Sequence, residues 1–199
     1  MGIGTGGVRG FRVRFRKAWT ARYLSHRDLV RTLGRAVRRT GRRPALTKGF
    51  HPRPRMRIRP AVSLGVPALS LALDIFLQDD PSPNALAHEL DAVLPPGLSV
   101  LNAAPLADMR ASPMTRVVWR FKGPLPDSAE IPPLADLGFL ADGSLLLSVR
   151  PVRGMDPPGA RALASALAGD TDPGRLLQDA EMVLVEFLDE EDGEVQKPS

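Results

Sequence analysis

The chain has 199 residues, of which 43% are hydrophobic and 25% charged, a composition typical of a globular protein with enough length to bury a core. It contains no cysteine, which excludes disulfides, thiolate metal sites and a cysteine-ligated iron–sulfur cluster in this chain. No apolar run approaches the ~20 residues that span a bilayer, and the N-terminus lacks a signal-peptide pattern, so we predict a cytoplasmic protein without membrane contact.

The charge is concentrated in the first third of the chain. Residues 1–60 hold 18 lysines and arginines and a single acid, giving +17, whereas the remainder holds 9 basic and 21 acidic residues, giving −12. Arginine supplies 23 of the 27 basic residues. Codon preference can exchange lysine for arginine but cannot gather the charge at one end. The asymmetry predicts a face that binds a polyanion.

After a flexible tail predicted over residues 1–7, Phe11, Val13 and Phe15 alternate with arginines, which indicates a half-buried strand. A helix is predicted next. Ser25 and Asp28 have capping-box spacing, and Gly41 is a typical left-handed helix stop. Leu29 lies on the predicted apolar side of this helix. The opposite side forms a stripe of like charges that an isolated helix does not favour, made of Arg27, Arg31, Arg35 and Arg38.

The segment that follows the helix is also basic. Prolines at 52, 54 and 60 favour extended backbone and exclude helix. Alternating arginines on one side of an extended segment repeat every ~6.6 Å, a spacing suited to a phosphate backbone. We expect a tight turn at Lys48-Gly49 to add backbone N–H groups for anions. The arginines concerned are Arg53, Arg55, Arg57 and Arg59.

Strands near 55–62 and 70–77, a helix capped by Ser82 and a strand near 98–103 complete the order β-α-β-β-α-β. This order predicts an α+β fold with a ferredoxin-like first domain over residues 8–105. Both helices would cover one sheet face, which leaves arginines for the other, open face. The candidates are Arg12, Arg14, Arg16, Arg57 and Arg59.

A linker is predicted over 105–113, followed by a smaller α+β unit over residues 114–190 that we interpret as a possible relative of the first. Val117, Trp119 and Phe121 alternate as a strand, and Asp142-Gly143 indicates a hairpin. A helix near 159–168, a helical turn after Pro173 and a strand near 182–188 follow. Residues 191–199 are predicted to be a flexible acidic tail.

Several residues are candidates for chemistry or binding. His26, His51 and Asp28 are candidate acid–base residues, because metal-free RNA cleavage needs a base and an acid; the alternative is local hydrogen bonding. Trp19, Tyr23 and Phe50 are candidates for base stacking or for core packing. No metal or cofactor is predicted, because three scattered histidines give no ligand spacing. The nucleic-acid-binding candidates are Arg22, Arg27, Arg31, Arg35, Arg38, Lys48, Arg53, Arg55 and Arg57; the alternative is a solvated basic face.

Six motifs in the chain resemble those of the radical SAM-associated family, a bacterial domain of unknown function found alone or fused behind radical SAM modules. The motifs are Phe15-x-Lys17, Arg22-Tyr23-Leu24-Ser25-His26-x-Asp28-Leu29, Arg38-Arg39-x-Gly41, Gly49-Phe50-His51-Pro52-Arg53-Pro54-Arg55, Leu64-Gly65-Val66 and Leu94-Pro95-Pro96-Gly97-Leu98. The resemblance implies a separately encoded radical SAM enzyme as a partner.

Three functions are consistent with these observations. The favoured hypothesis is a non-catalytic accessory protein that binds ribosomal or transfer RNA and presents it to the radical SAM partner for modification or processing. The second is a metal-free RNA-processing enzyme that uses His26 and His51. The third is a protein–protein adaptor whose basic face docks on an acidic partner.

Overall fold

A computed structural model describes residues 7–107, 113–122, 126, 129, 135–150, 157–169, 172–178 and 180–187. Its fold is α+β, as predicted. The first part of the chain contains four strands, two α-helices and a short 3₁₀ helix. In chain order these are β1 (Arg9–Lys17), the 3₁₀ helix (Trp19–Tyr23), α1 (His26–Arg39), β2 (Met56–Arg59), β3 (Ala68–Leu77), α2 (Pro83–Val93) and β4 (Leu98–Pro105).

These four strands form an antiparallel sheet in the order β4-β1-β3-β2, which is the arrangement of the predicted ferredoxin-like unit. The register places Phe11 opposite Ile75 and Val13 opposite Leu73. Those side chains join Leu29 and Leu33 of α1 in the core, so the helices cover this face of the sheet.

The described remainder has the same kind of arrangement. Its elements are β5 (Met114–Phe121), β6 (Ala135–Phe139), β7 (Leu145–Val149), α3 (Ala160–Leu167), α4 (Pro173–Gln178) and β8 (Ala180–Phe187). The strands lie in the order β8-β5-β7-β6, and all three pairings are antiparallel. The predicted hairpin at Asp142-Gly143 is confirmed between β6 and β7, with Gly143 at φ +79°.

The two groups of strands join along β3. Its first residue, Ala68, pairs in parallel with Met182 of β8, whereas residues 72–75 pair with β2. One eight-stranded mixed sheet results among the described residues. Buried side chains from both groups form a single hydrophobic cluster that includes Phe15, Leu71, Trp119 and Leu163. The division into domains at 8–105 and 114–190 stays a prediction.

Some element bounds differ from the sequence-based expectation. β2 begins at Met56 and ends before Pro60, because proline has no N–H to donate to the strand ladder. β4 continues to Pro105, through hydrogen-bonded register with β1, and therefore extends to the start of the predicted linker. The predicted flexible tail at 191–199 and most of that at 1–7 lie outside the described residues.

Candidate nucleic-acid interface

The basic helix α1 is fixed at both ends by the residues that the sequence indicated. Ser25 Oγ accepts a hydrogen bond from the Asp28 backbone N–H at 3.1 Å and donates to the Asp28 carboxylate at 2.6 Å. At the other end Gly41 has φ +75°, the left-handed conformation that ends helices. Leu29, Leu33, Ala36 and Val37 are buried beneath the helix. The orientation of α1, and hence of its charged side, is thus set by its core contacts.

The opposite side of α1 carries the arginine stripe, which we define as Arg27, Arg31, Arg35 and Arg38; all four are exposed. Asp28 is the only acid within the helix, and it lies 3.4 Å from Arg31 in an exposed pair that is worth little in water. Successive stripe residues repel one another at helical spacing. The stripe therefore adds little to folding and presents concentrated positive charge to solvent.

A basic hairpin lies between α1 and β2 in the chain. Leu46 bridges to Pro54, and the Thr47 N–H donates to the Arg53 carbonyl at 2.8 Å. Between these contacts residues 47–53 form an exposed tip, in which Gly49 has φ +127°. Phe50 is 101% exposed. The hairpin tip thus combines positive charge with an aromatic ring held in solvent, and its exposed basic side chains are Lys48 and Arg53.

The flanks of α1 face different parts of the fold. A Cβ atom at Gly34 would lie 3.8 Å from the Met56 sulfur, so this flank is next to β2. The other flank, which contains Thr32 and Ala36, faces the 3₁₀ helix and the end of α2 across an open pocket. The arginine stripe therefore runs along the solvent side of α1 between these two flanks.

Two of the predicted binding arginines lie on the other side of the sheet. Arg55 and Arg57 place their guanidinium groups 4.1 Å and 5.3 Å from the centre of the buried Phe76 ring. Met56, between them, faces α1. The alternation along this strand is as predicted, but alternation turns Arg55 and Arg57 away from the arginine stripe. These two residues and the stripe do not form one continuous surface.

The predicted open sheet face is only partly open. Arg12 is 3% exposed and forms two hydrogen bonds with Asp74, at 2.7 Å and 3.2 Å. Arg59 donates to the same carboxylate at 3.0 Å. The expectation that Arg12 is open is therefore wrong, because its partner Asp74 lies directly opposite on β3. Arg14, Arg57 and Arg59 are half-buried, and Arg16 is exposed.

The candidate acid–base residues lie on two exposed elements, the start of α1 and the hairpin tip. His26 opens α1 and His51 lies in the hairpin tip; both are exposed. Among the described residues, neither imidazole has a hydrogen bond or an ion pair. The Asp28 carboxylate is engaged by Ser25 and Arg31. Likewise, no group of three or more potential metal ligands occurs in the described part of the chain.

Arg22 has a different environment from the other binding candidates. It is half-buried, and its guanidinium lies 4.9 Å from the centre of the Tyr23 ring. Its backbone carbonyl accepts a hydrogen bond from the Gly65 N–H at 2.9 Å. Arg22 therefore supports the 3₁₀ helix and orients Tyr23, whose ring is 61% exposed.

Two charged residues with structural roles were not predicted from the sequence. Arg42 joins the end of α1 to α2 and to the segment after β3, since its guanidinium binds Glu89 at 2.7 Å and Asp79 at 3.1 Å. The hydrogen bond from Arg42 lowers the pKa of Glu89. Lys17 is 1% exposed, and burial lowers its pKa to about 8. In the sequence Lys17 continues the apolar alternation of β1, which was the available signal for its burial.

Comparison with known families gives one match. The family described as an uncharacterized protein conserved in bacteria (DUF2344) matches residues 10–131, which is more than half of the chain. The chain belongs to this family. The match confirms a conserved bacterial domain, while its description carries no link to radical SAM enzymes. No curated protein matches the chain. Among the described residues, no helix is long and apolar enough to cross a membrane.

Proposed function

We propose that this member of the DUF2344 family is a non-catalytic RNA-binding protein that holds the phosphate backbone with its arginine stripe and hairpin tip. The observation that carries the proposal is the exposed charge of α1. Four arginines share its solvent side with a single carboxylate, within a 60-residue segment of net charge +17. Phosphate binding relieves the mutual repulsion of these arginines and releases counterions from the nucleic acid.

The geometry of α1 suits a chain of phosphates better than one isolated anion. Arg27, Arg31 and Arg35 are four residues apart, so their Cα atoms rise by ~6 Å from one to the next. This spacing is comparable with the distance between successive phosphates in an extended strand. The long arginine side chains adjust to the remaining difference and make charge-assisted hydrogen bonds to phosphate oxygens.

Exposed aromatic rings favour RNA with unpaired bases over a regular duplex. Trp19, Tyr23 and Phe50 are 85%, 61% and 101% exposed, and all three occur in the basic third of the chain. Large exposed aromatics contribute little to folding, but they stack on bases that are splayed out of a helix. Ribosomal and transfer RNA offer such bases in loops and bulges.

The second part of the proposal is that the protein presents RNA to a separately encoded radical SAM enzyme. Its support is the motif resemblance, together with the lack of cysteine ligands for an iron–sulfur cluster in this chain. In this proposal, this chain positions the RNA and the partner enzyme performs the chemistry. His26 and His51 are exposed and have no hydrogen bond or ion pair among the described residues, which favours positioning over catalysis.

Filter binding of RNA at several salt concentrations tests the RNA-binding proposal. We expect log K to fall linearly with log salt, with a slope of about −0.7 for each single-strand phosphate contact. Affinity that does not change with salt, or no binding near physiological salt, would overturn the proposal. Cleavage of the RNA without added metal, lost in a His26→Ala/His51→Ala variant, would instead show the enzyme.

Affinity purification with and without ribonuclease tests the partner. A protein with an iron–sulfur cluster and an S-adenosylmethionine site should co-purify with the tagged chain before nuclease treatment. If no such protein is recovered under either condition, the radical SAM half of the proposal fails while RNA binding is unaffected. If the chain retains an acidic protein partner but binds no RNA, the result would support the alternative that it is a protein–protein adaptor.

A further inference from the structure

An open pocket of about 490 Å³ adjoins the arginine stripe on the flank of α1 that faces α2. Four α1 residues line one side: Thr32, Arg35, Ala36 and Arg39. Their spacing of three and four residues places them on one ridge of the helix. The facing wall includes Val93 and Pro95, from the end of α2 and the loop after it. The volume is within the ~300–1,000 Å³ range of small-molecule sites.

The chemistry of the walls is divided. Arg35 and Arg39 supply two guanidinium groups that are exposed to solvent. Ala36, Val93 and Pro95 supply apolar surface, and the hydroxyl of Thr32 is a hydrogen-bonding group between the two regions. A ligand that fits both parts combines an anionic group with a partly apolar body.

The third wall, formed by the 3₁₀ helix, is held in a fixed position. The Ala18 N–H donates to the Gly97 carbonyl at 2.8 Å, and a Cβ atom at Gly97 would lie 2.6 Å from the Ala18 carbonyl oxygen. Gly97 also has φ +88°, so glycine is required there by both conformation and space. This close approach locks the 3₁₀ helix against the loop that ends in Gly97.

Two exposed aromatic rings belong to the same short helix. Trp19 has φ +49°, an uncommon conformation for a bulky residue, and is 85% exposed. Tyr23 is 61% exposed and is supported by the Arg22 guanidinium. Backbone strain combined with exposure of a large ring is typical of binding sites. Thr20, Ala21 and Leu24 of this segment line the pocket itself.

From these observations we infer that the pocket accepts the base of an unpaired nucleotide in RNA. Arg35 and Arg39 hold the phosphates on either side of that nucleotide, and Trp19 and Tyr23 stack on neighbouring bases. The inference rests on the proposed RNA binding and adds to it: the pocket selects single-stranded RNA, while the rest of the stripe contributes charge alone. Arg35, which belongs to both the stripe and the pocket, connects the two.

A comparison of three RNAs tests the inference: a short single strand, a duplex of the same strand, and a ribose-phosphate oligomer of equal length without bases. The base-bearing single strand should bind about 5- to 150-fold more tightly than the abasic oligomer, the effect of one stacked base. Equal affinities for these two, with salt-dependent binding retained, overturn the pocket but leave the proposed function intact. Absence of binding to all three overturns both.

Two sets of variants locate the effect. Thr32→Phe fills the pocket and should reduce the preference for the base-bearing strand over the abasic oligomer without changing the salt slope. Arg39→Ala and Arg38→Ala remove equal charge from adjacent residues, of which only Arg39 lines the pocket. Arg39→Ala should therefore reduce the preference for bases more than Arg38→Ala. Equal loss of this preference in both variants contradicts the inference, even if Thr32→Phe fails to fold.

Intrinsic fluorescence gives an independent readout. The chain has two tryptophans, and Trp119 is 0% exposed whereas Trp19 is 85% exposed. Quenching by base-bearing RNA should therefore come from Trp19 and persist in a Trp119→Phe variant. Quenching of the same size by the abasic oligomer would show that no base stacks on Trp19 and would contradict this part of the inference.

Discussion

The first four strands and the last four have the same spatial order and similar ion pairs, but the two parts of the chain differ in the charge that they carry outside the sheet. In the order β4-β1-β3-β2 the central strand β1 carries arginine, and in β8-β5-β7-β6 the central strand β5 does so as well. In the first group Asp74 forms ion pairs with Arg12 and Arg59. In the second group Glu181 forms an ion pair with Arg120.

The difference lies outside the sheet. Residues 1–60 carry a net charge of +17, and within this segment α1 and the hairpin tip hold exposed basic side chains with Asp28 as their one acid. The rest of the chain is net acidic. Arg12, Arg59 and Arg120 are thus paired with carboxylates in the sheet, and they differ in this respect from the arginine stripe, to which the proposed function assigns RNA binding.

Removing the two carboxylates compares the ion pairs directly. Asp74→Asn should lower the free energy of unfolding by about 3–5 kcal/mol, because it removes the negative charge that pairs with the buried Arg12 guanidinium. Glu181→Gln should lower the free energy of unfolding by less, about 1.5–3 kcal/mol, because Arg120, which loses its partner, is more exposed than Arg12. Urea unfolding monitored by circular dichroism measures both values. Equal decreases in the free energy of unfolding would mean that the ion pairs of Asp74 and Glu181 contribute equally to stability.

Truncating one buried leucine in each group tests whether both have well-packed cores. Leu33 of α1 and Leu163 of α3 are 2% and 1% exposed. Leu33→Ala and Leu163→Ala should each cost about 2–5 kcal/mol. RNA affinity per folded molecule should not change in either variant. If Leu163→Ala costs under 1 kcal/mol, the second group is less tightly packed than its burial indicates.

A lysine with a lowered pKa makes stability depend on pH in the first group. The pKa of Lys17 is about 8 in the folded protein and 10.5 in the reference state, because burial disfavours its charged form. Between these values the unfolded chain binds more protons, so Lys17 makes stability rise with pH, by at most ~1.4 kcal/mol per pH unit.

Lys17→Met should remove this rise, which makes the variant the control for other titrating groups. Urea unfolding of both proteins at about pH 7 and about pH 10 gives the difference in slope. The wild type should gain more stability than Lys17→Met over this interval. Identical gains would mean that Lys17 is charged in the folded state and is paired or hydrated.

Local signals in the sequence predicted the elements well. Ser25, Ser82 and Gly41 mark helix ends through their own backbone hydrogen bonding or conformation, so neighbouring residues suffice to recognise them. The ferredoxin-like order followed from these elements. The pairing of β8 with β3 could not be predicted, because Ala68 and Met182 are distant in sequence and the pairing depends on how the two groups meet.

The candidate site was predicted in part for the same reason. Period alone placed the arginine stripe on the exposed side of α1. Period also gave the alternation of Arg55 and Arg57, but not which sheet face they share, since that depends on the register with Asp74 and Phe76. The partner of Arg12 is 62 residues away, and the pocket walls come from three separate segments. Neither the Arg12–Asp74 pair nor the pocket produces a local sequence pattern from which it could be predicted.

Two charge-matched double variants test whether RNA binds the arginine stripe or positive charge in general. Arg31→Ala/Arg35→Ala removes two exposed arginines from α1, and Arg161→Ala/Arg175→Ala removes two from α3 and α4. Filter binding over a range of salt concentrations measures both. The stripe variant should fold with unchanged or slightly higher stability, because like charges are removed from α1. It should bind RNA more weakly, with a salt slope smaller by ~0.7–0.9 per lost phosphate contact. The control variant should keep the wild-type slope. If the two variants lose equal affinity and slope, RNA does not bind the stripe specifically. The same conclusion follows if the stripe variant unfolds while its RNA affinity per folded molecule is unchanged.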